Sequence, residues 1–234
     1  MRINKFISET GFCSRREADK LVESGRVTIN GQKALLGSQA EHGDDVQIDG
    51  RRIGERRSAV YIALNKPVGI TSTTEQHVHG NIVEFVGHKE RVFPIGRLDK
   101  DSEGLILLTN DGDVVNPILR SEGKHEKEYI VTVDKPVTAA FLKGMTEGVH
   151  ILGSMTLPCK VTRIGDRVFR IVLTEGRNRQ IRRMCEAFGF HVRRLRRIRI
   201  MNIHLGDLPR GQWRDLTEDE KRELFGLLDY KPAP

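Results

Sequence analysis

Residues 96–113 read GRLDKDSEGLILLTNDGD. A glycine-containing, acid-studded turn with Arg97 and Asp99 leads into the apolar run Leu105 to Leu108, and the Asn110-Asp111-Gly112 turn closes it. An apolar run this short, bounded by turn signals on both sides, predicts a buried strand. Asp99 then sits on a loop held by a rigid strand. Catalytic groups are often carried this way, although Asp in such a turn more often bonds its own backbone. Asp101, Asp111 and Asp113 fit turn or surface roles.

Outward from this stretch, short β-type runs recur at Val60 to Leu64, Gly104 to Thr109, Tyr129 to Val133, Val168 to Leu173 and Leu195 to Ile203. Without a regular βαβ alternation they predict an α+β domain around a mostly antiparallel or mixed sheet. Toward the N-terminus, the polar segment RRIGERRS (residues 51–58) reads as a linker, which divides the chain into residues 1–57 and 58–234. In the front unit, Ile3, Phe6 and Ile7 form a helical stripe stopped by Gly11. Ser14 caps a second helix with Glu17 three residues on, Ala18, Leu21 and Val22 as its apolar stripe, and Gly25 at its end. Val27 to Ile29, the Asn30-Gly31 turn and Val46 to Ile48 read as strands with hairpin punctuation. At the other end, Thr217 caps a helix with Glu220, and Leu224, Leu227 and Leu228 form its packing stripe.

Lys and Arg (39) outnumber Asp and Glu (32) in the 234 residues, a net charge of +7 that points to a polyanionic partner. No stretch approaches the roughly 20 apolar residues of a membrane span, and the opening MRINKFISET lacks the apolar core of a secretion signal, so a cytoplasmic protein is expected. Cys13, Cys159 and Cys185 lack CxxC spacing and read as buried thiols. With 6% aromatic residues, a surface that stacks many bases is excluded. The sequence carries no GxxxxGK[ST] loop, no GxGxxG fingerprint and no HExxH pair. A monomer is the default, because no heptad pattern appears.

Between Arg177 and Arg199 lie nine arginines and one acid, Glu186, a density that reads as phosphate contact. Ile181, Met184, Cys185 and Phe188 mark the buried side of a helix there, and Arg179, Arg182, Arg183 and Glu186 share the other side. Arg15, Arg16 and Lys20 crowd the first half of the second front helix, suited either to phosphate or to a solvated face.

The front unit resembles the alpha-L (S4-like) RNA-binding module. Over its full length the chain resembles bacterial pseudouridine synthases of the RsuA type, nearest to the RluF-like members that act on large-subunit ribosomal RNA. The resemblance is carried by LNKPVGI (64–70), VFPIGRLDKDSEGL (92–105), HEKEYIVTV (125–133), EGRNRQIRRMCEAFG (175–189) and RIRIMNIHLGDLPRGQWRDLT (197–217). It implies base flipping of a uridine, followed by cleavage of its glycosidic bond and re-formation at C5. Such a reaction, without redox change or outside energy source, calls for no cofactor and no metal, with which the missing cofactor motifs are consistent. On this resemblance Asp99 is the catalytic carboxylate, Arg182 the cation facing it, Tyr129 the ring that stacks on uracil, and Arg97 the side chain that enters the vacated base stack. Lys66 braces the site, and Arg177, Arg179 and Arg183 join the RNA-binding face. Two alternatives stand beside it: the same chemistry on a transfer RNA anticodon arm, and a non-catalytic ribosome-assembly factor.

Overall fold

The computed structural model describes residues 1–54, 57–75, 77–120 and 123–232. Two helices, α1 (Ile3–Glu9) and α2 (Arg15–Glu23), precede the strands β1 (Val27–Ile29), β2 (Gln32–Lys33), β3 (Val46–Ile48) and β4 (Arg51–Arg52). These strands form a separate sheet in the order β2-β1-β3-β4. Local chemistry sets the boundaries. The Ser14 hydroxyl accepts from the Glu17 amide while the Glu17 carboxylate accepts from the Ser14 amide, a complete capping box. Asn30 and Gly31 both take positive φ (50° and 78°), as a two-residue hairpin turn matched to strand twist requires. Ile3, Ile7, Ala18, Val22, Val27, Val46 and Ile48 close a small core of their own.

The segment expected as a linker begins differently. Arg51 and Arg52 pair with Ile48 and Gln47, because the Asp49-Gly50 turn (φ 52° and 73°) returns the chain onto β3. Residues 55 and 56 of that segment lie outside the described residues. Ion pairs join the front unit to the rest: Lys5 with Asp113 at 2.8 Å, Arg57 with Glu90 at 2.6 Å, and Arg91 with Glu17 at 3.8 Å. Asp113, expected in a surface role, is thus the catch for α1.

The larger unit runs β5 (Tyr61–Lys66), α3 (Ile82–Val86), β6 (Phe93–Ile95), β7 (Glu103–Thr109), α4 (Val115–Leu119), β8 (Lys127–Val133) and α5 (Ala139–Glu147). Then follow β9 (His150–Ile151), β10 (Ser154–Met155), β11 (Lys160–Gly165), β12 (Val168–Leu173), α6 (Gln180–Ala187), β13 (Val192–Ile200), β14 (Ile203–His204), β15 (Trp213–Asp215) and α7 (Glu218–Leu227). Nine of these strands build one mixed sheet with the path β11-β12-β8-β13-β7-β5-β15. The pair β13·β7 is parallel, and the other pairs along that path are antiparallel. The α+β architecture with a mostly antiparallel, mixed sheet is therefore the one expected.

Every residue of β7 is buried, since both faces of the sheet are covered. Ile106 and Leu108 join Ile62 and Leu64 in the core under α3, α5 and α6, whereas Leu105 and Leu107 join Tyr61 and Ala63 in the core under α4 and α7.

Four local expectations are corrected. Leu195 to Ile203 is not one strand: Met201 turns at φ 50° and the chain doubles back as the β13·β14 hairpin. Phe188 lies at the end of α6, 39% exposed, its ring edge-on to Phe141 instead of in the core. Leu227 is exposed, leaving Leu224 as the buried anchor of α7. Only Cys185 is fully buried. Cys13 and Cys159 are half-buried, and burial pushes the three thiols up to about 11 (Cys13 and Cys159) and about 12 (Cys185), so they are un-ionised near neutrality.

Candidate active site

The backbone that presents Asp99 is caught from several sides. Ser72 Oγ donates to the Leu98 carbonyl at 2.8 Å and accepts from the Leu98 amide at 3.2 Å. The Gly69 amide donates to the Lys100 carbonyl at 2.8 Å, and the Ser102 amide to the Asp99 carbonyl at 3.0 Å. Arg197 Nη1 reaches the Arg97 carbonyl at 3.4 Å. A turn whose carbonyls and amides are held by other elements cannot drift, which is the rigidity a reacting group requires.

Asp99 lines the wall of a cavity of about 480 Å3, ample for a nucleotide. Six cationic side chains line it (Arg97, Lys127, Arg177, Arg179, Arg182 and Arg197) against two carboxylates, Asp99 and Glu175. Tyr129 on β8 belongs to the same wall. A cavity with this charge balance favours an anionic ligand of roughly nucleotide size.

The cation beside Asp99 differs from the one expected. Arg179 Nη1 stands 3.5 Å from Asp99 Oδ2, and the same guanidinium forks onto both carboxylate oxygens of Asp101 at 3.0 and 3.1 Å. Arg182 instead lies beneath the loop, 8% exposed. Its Nη2 donates to the Asp101 carbonyl at 3.0 Å and to Ser102 Oγ at 3.1 Å, and lies 3.4 Å from the Asp101 carboxylate. The reason is the start of α6. Arg179 sits at its N-cap in the left-handed region (φ 50°), which turns its side chain outward to the two aspartates. Arg182, inside the first turn, is carried under them. A left-handed arginine costs about 1–2 kcal/mol of backbone strain, a cost the double ion pair offsets.

Asp101, expected as a surface acid, is therefore the hub. Burial pushes its carboxyl up, but the Arg179 hydrogen bonds and the charges of Arg182 and Arg179 outweigh that and hold it below the usual carboxylate range. Arg177, expected on the RNA face, is directed inward: Nε donates to Glu175 at 3.0 Å, and the two terminal nitrogens hold Ser154 and the Met155 carbonyl of the β9·β10 hairpin. Arg183 bonds the Asn178 carbonyl and side chain at 3.1 and 3.2 Å. Arg97 is exposed at the cavity mouth, and Arg15, Arg16 and Lys20 are exposed on α2.

Lys66, at the end of β5, is fully buried, and its ammonium donates to the Pro67 and Ile70 carbonyls at 2.9 Å each. It ties down the loop whose Gly69 holds the Asp99 turn. Desolvation, only partly countered by Asp101 and Asp99, pulls Lys66 down to about 8. Below pH 8 it is charged in both folded and unfolded chains, and the cost of its burial is felt in full. From pH 8 to 10.5 the folded chain sheds the proton while the unfolded chain keeps it, so this contribution to stability rises with pH by about 3 kcal/mol. Denaturant titrations of the wild type against Lys66→Met across that window check it. The stability difference should move toward the wild type as pH rises, and a flat difference overturns the assignment.

Sequence reasoning missed Arg197. It is 4% exposed and its guanidinium carbon stands 6.0 Å from the centre of the Tyr129 ring. The one available signal was the break in alternation on β13, where Leu195 and Arg197 face inward and a bulge between Arg197 and Arg199 resets the pattern to Ile200.

Comparison with known proteins fits this arrangement. The S4 domain model matches residues 1–53, and the RNA pseudouridylate synthase model matches residues 60–187, more than half of the chain. The dual-specificity RNA pseudouridine synthase RluF of Escherichia coli (strain K12) is 58% identical over 231 residues, 98% of this chain and 80% of the relative. The ribosomal large subunit pseudouridine synthase B of Bacillus subtilis (strain 168) is 33% identical over 98% of this chain and 97% of that protein. A solved structure titled as a pseudouridylate synthase superposes with a TM-score of 0.71 at 30% identity, covering 96% of this chain and 99% of the other. With a braced aspartate in a cationic cavity behind an S4 module, and relatives alike along almost the whole sequence, this chain belongs to the RNA pseudouridylate synthases of the RsuA type, isomerases that act on RNA.

Proposed function

We propose that the chain converts a uridine of large-subunit ribosomal RNA to pseudouridine, with Asp99 as the group that attacks C1′ or removes the 2′ proton. The carrying observation is Asp99 on an immobilised turn, in a cavity of nucleotide size that also holds Tyr129 and a surplus of cations. A carboxylate enclosed with a flipped nucleotide loses hydration and tends to protonate. Arg179, 3.5 Å away, opposes that directly, and Arg182 acts through the Asp101 backbone that it holds. Tyr129 stacks on the uracil, and Arg97 at the mouth fills the space left in the stack. Extrusion of the base costs a few kcal/mol, which phosphate contacts from Arg15, Arg16 and Lys20 on the front unit, residues 1–57, help offset.

The names of two relatives, a dual-specificity RNA pseudouridine synthase and a ribosomal large subunit enzyme, support this substrate class. The dual specificity in the first name favours a second substrate, which we take to be a transfer RNA anticodon arm, where single-stranded uridines also sit on a stem. We take the working form to be a cytoplasmic monomer that uses no cofactor. Pseudouridine mapping of total RNA from cells with and without the gene tests the reading. The expected result is loss of a site in large-subunit RNA, alone or together with one anticodon-arm site. Unchanged maps in both RNA classes overturn it.

A further inference from the structure

We infer that Arg197 binds a carbonyl oxygen of the target uracil and carries the negative charge that develops there when the glycosidic bond breaks. This rests on the reading of the cavity as a uridine-isomerising site and adds the group that receives the leaving base. Arg197 is the anomaly of its strand. Arg194 pairs with Glu103 and Arg199 with Glu126 and Glu128, while Arg193 and Arg196, which have no ion pair among the described residues, keep contact with solvent. Arg197 is buried, yet among the described residues it has no carboxylate within ion-pair distance. Nε donates to the Leu105 carbonyl at 2.6 Å, Nη1 leans on the Arg97 carbonyl at 3.4 Å, and Nη2, fully shielded from solvent, has no hydrogen-bond partner.

A buried guanidinium without a counter-charge is costly, and such a group is retained where an anion arrives to meet it. The structure offers such an anion a place to arrive. Arg197 lines the cavity of Asp99, against the ring of Tyr129. It is also fixed: its strand pairs with β7 on one side and β8 on the other, and its carbonyl bonds hold the guanidinium plane.

The chemistry supplies the anion. When C1′–N1 breaks, its electron pair stays on the uracil and spreads over N1, O2 and O4. After the ring turns, the pair returns through C5 to C1′, the C5 proton leaves and N1 takes one up, so the isomerisation balances within the substrate. Asp99, itself negative, can hold the sugar side but cannot stabilise this charge. A preorganised cation in a water-poor wall can, and removal of one such donor typically costs 10²- to 10³-fold in rate.

The test compares wild type with Arg197→Met on RNA carrying uridine or 5-fluorouridine at the target, in single turnover, with RNA affinity measured separately. Because 5-fluorouridine has no C5 proton to lose and cannot complete the isomerisation, turnover is read on both RNAs as cleavage of C1′–N1, the disappearance of the starting nucleoside. Uridine turnover by Arg197→Met should fall about 10²-fold with affinity within about 3-fold. Because 5-fluorouracil is the better leaving group and needs less charge stabilisation, its loss should be only about tenfold. Arg197→Lys, which keeps a cation in the strand, should show an intermediate loss with the same fluorine dependence, and it carries the test if the Met variant does not fold. Equal losses on both substrates overturn the proposal, as does a loss confined to affinity, the mark of a phosphate contact. Undiminished turnover by either variant also overturns it. If the wild type itself cleaves C1′–N1 in neither RNA, the underlying reading of the cavity has failed instead.

Discussion

Asp99→Asn is expected to yield no measurable pseudouridine, a fall of at least about 10³-fold, while RNA affinity and folding stability stay close to wild type. The structure separates chemistry from architecture at this position. The turn is held through main-chain atoms, with the Asp99 carbonyl accepting from Ser102 and the flanking Leu98 and Lys100 held by Ser72 and Gly69, and none of these bonds uses the carboxylate. Among the described residues the carboxylate has one ion pair, at 3.5 Å, to an arginine that keeps its fork on Asp101 whatever stands at 99. The side chain is 35% exposed, so an isosteric amide there should change stability by no more than about 0.5 kcal/mol. What disappears is one negative charge, the group that either attacks C1′ or takes the 2′ proton. Asp101→Asn is the informative contrast, because it loosens both Arg179 and Arg182 without removing the reacting group, and it should lower turnover less. Single-turnover assays beside filter-binding affinities decide the matter. Full turnover by Asp99→Asn would move the catalytic role to another residue.

Much of the scaffold was legible, because its signals are local. The Ser14–Glu17 box, the Asn30-Gly31 turn and the Leu105–Leu108 run each satisfy their own backbone or bury their own side chains, and the structure realises each of them. The pairing inside the site was not legible. That Arg179 and not Arg182 reaches Asp99 depends on a left-handed φ at one residue, and a non-glycine residue gives no sign of this in advance. Asp101 looked like a turn residue for the same reason that it is useful: it lies in a turn, but one that two arginines at the start of α6, Arg179 at its N-cap and Arg182 in its first turn, some 80 positions away, happen to meet. The role of Arg197 was hidden by its company, since eight other arginines crowd residues 177–199 and only tertiary packing reveals which of them is buried without an acid beside it.

Gly104→Ala is expected to be among the most damaging single substitutions in the chain, through a methyl group far smaller than any functional side chain. Gly104 takes φ 105°, a conformation L-residues rarely adopt, and a Cβ built there would stand 2.2 Å from the Arg197 carbonyl oxygen and 2.7 Å from its amide nitrogen. Neither atom belongs to a movable side chain. Both are backbone of β13, at the register where Gly104 pairs with Arg197 in the parallel join of the sheet. That join links the β11-β12-β8-β13 half to the β7-β5-β15 half, so relief of the overlap means prying the two halves apart. Strain and lost packing together should cost about 3–5 kcal/mol, large against the 5–15 kcal/mol of a typical fold. The same displacement moves the Asp99 turn, five residues upstream, away from Arg179, Arg182 and Arg197, so whatever fraction folds should turn over slowly even when fully occupied by RNA. Urea denaturation of the purified variant measures the first effect, and single-turnover rates at saturating protein measure the second. A Gly104→Ala protein within about 1 kcal/mol of wild type would mean that β7 and β13 have slack that the close approach at this register denies.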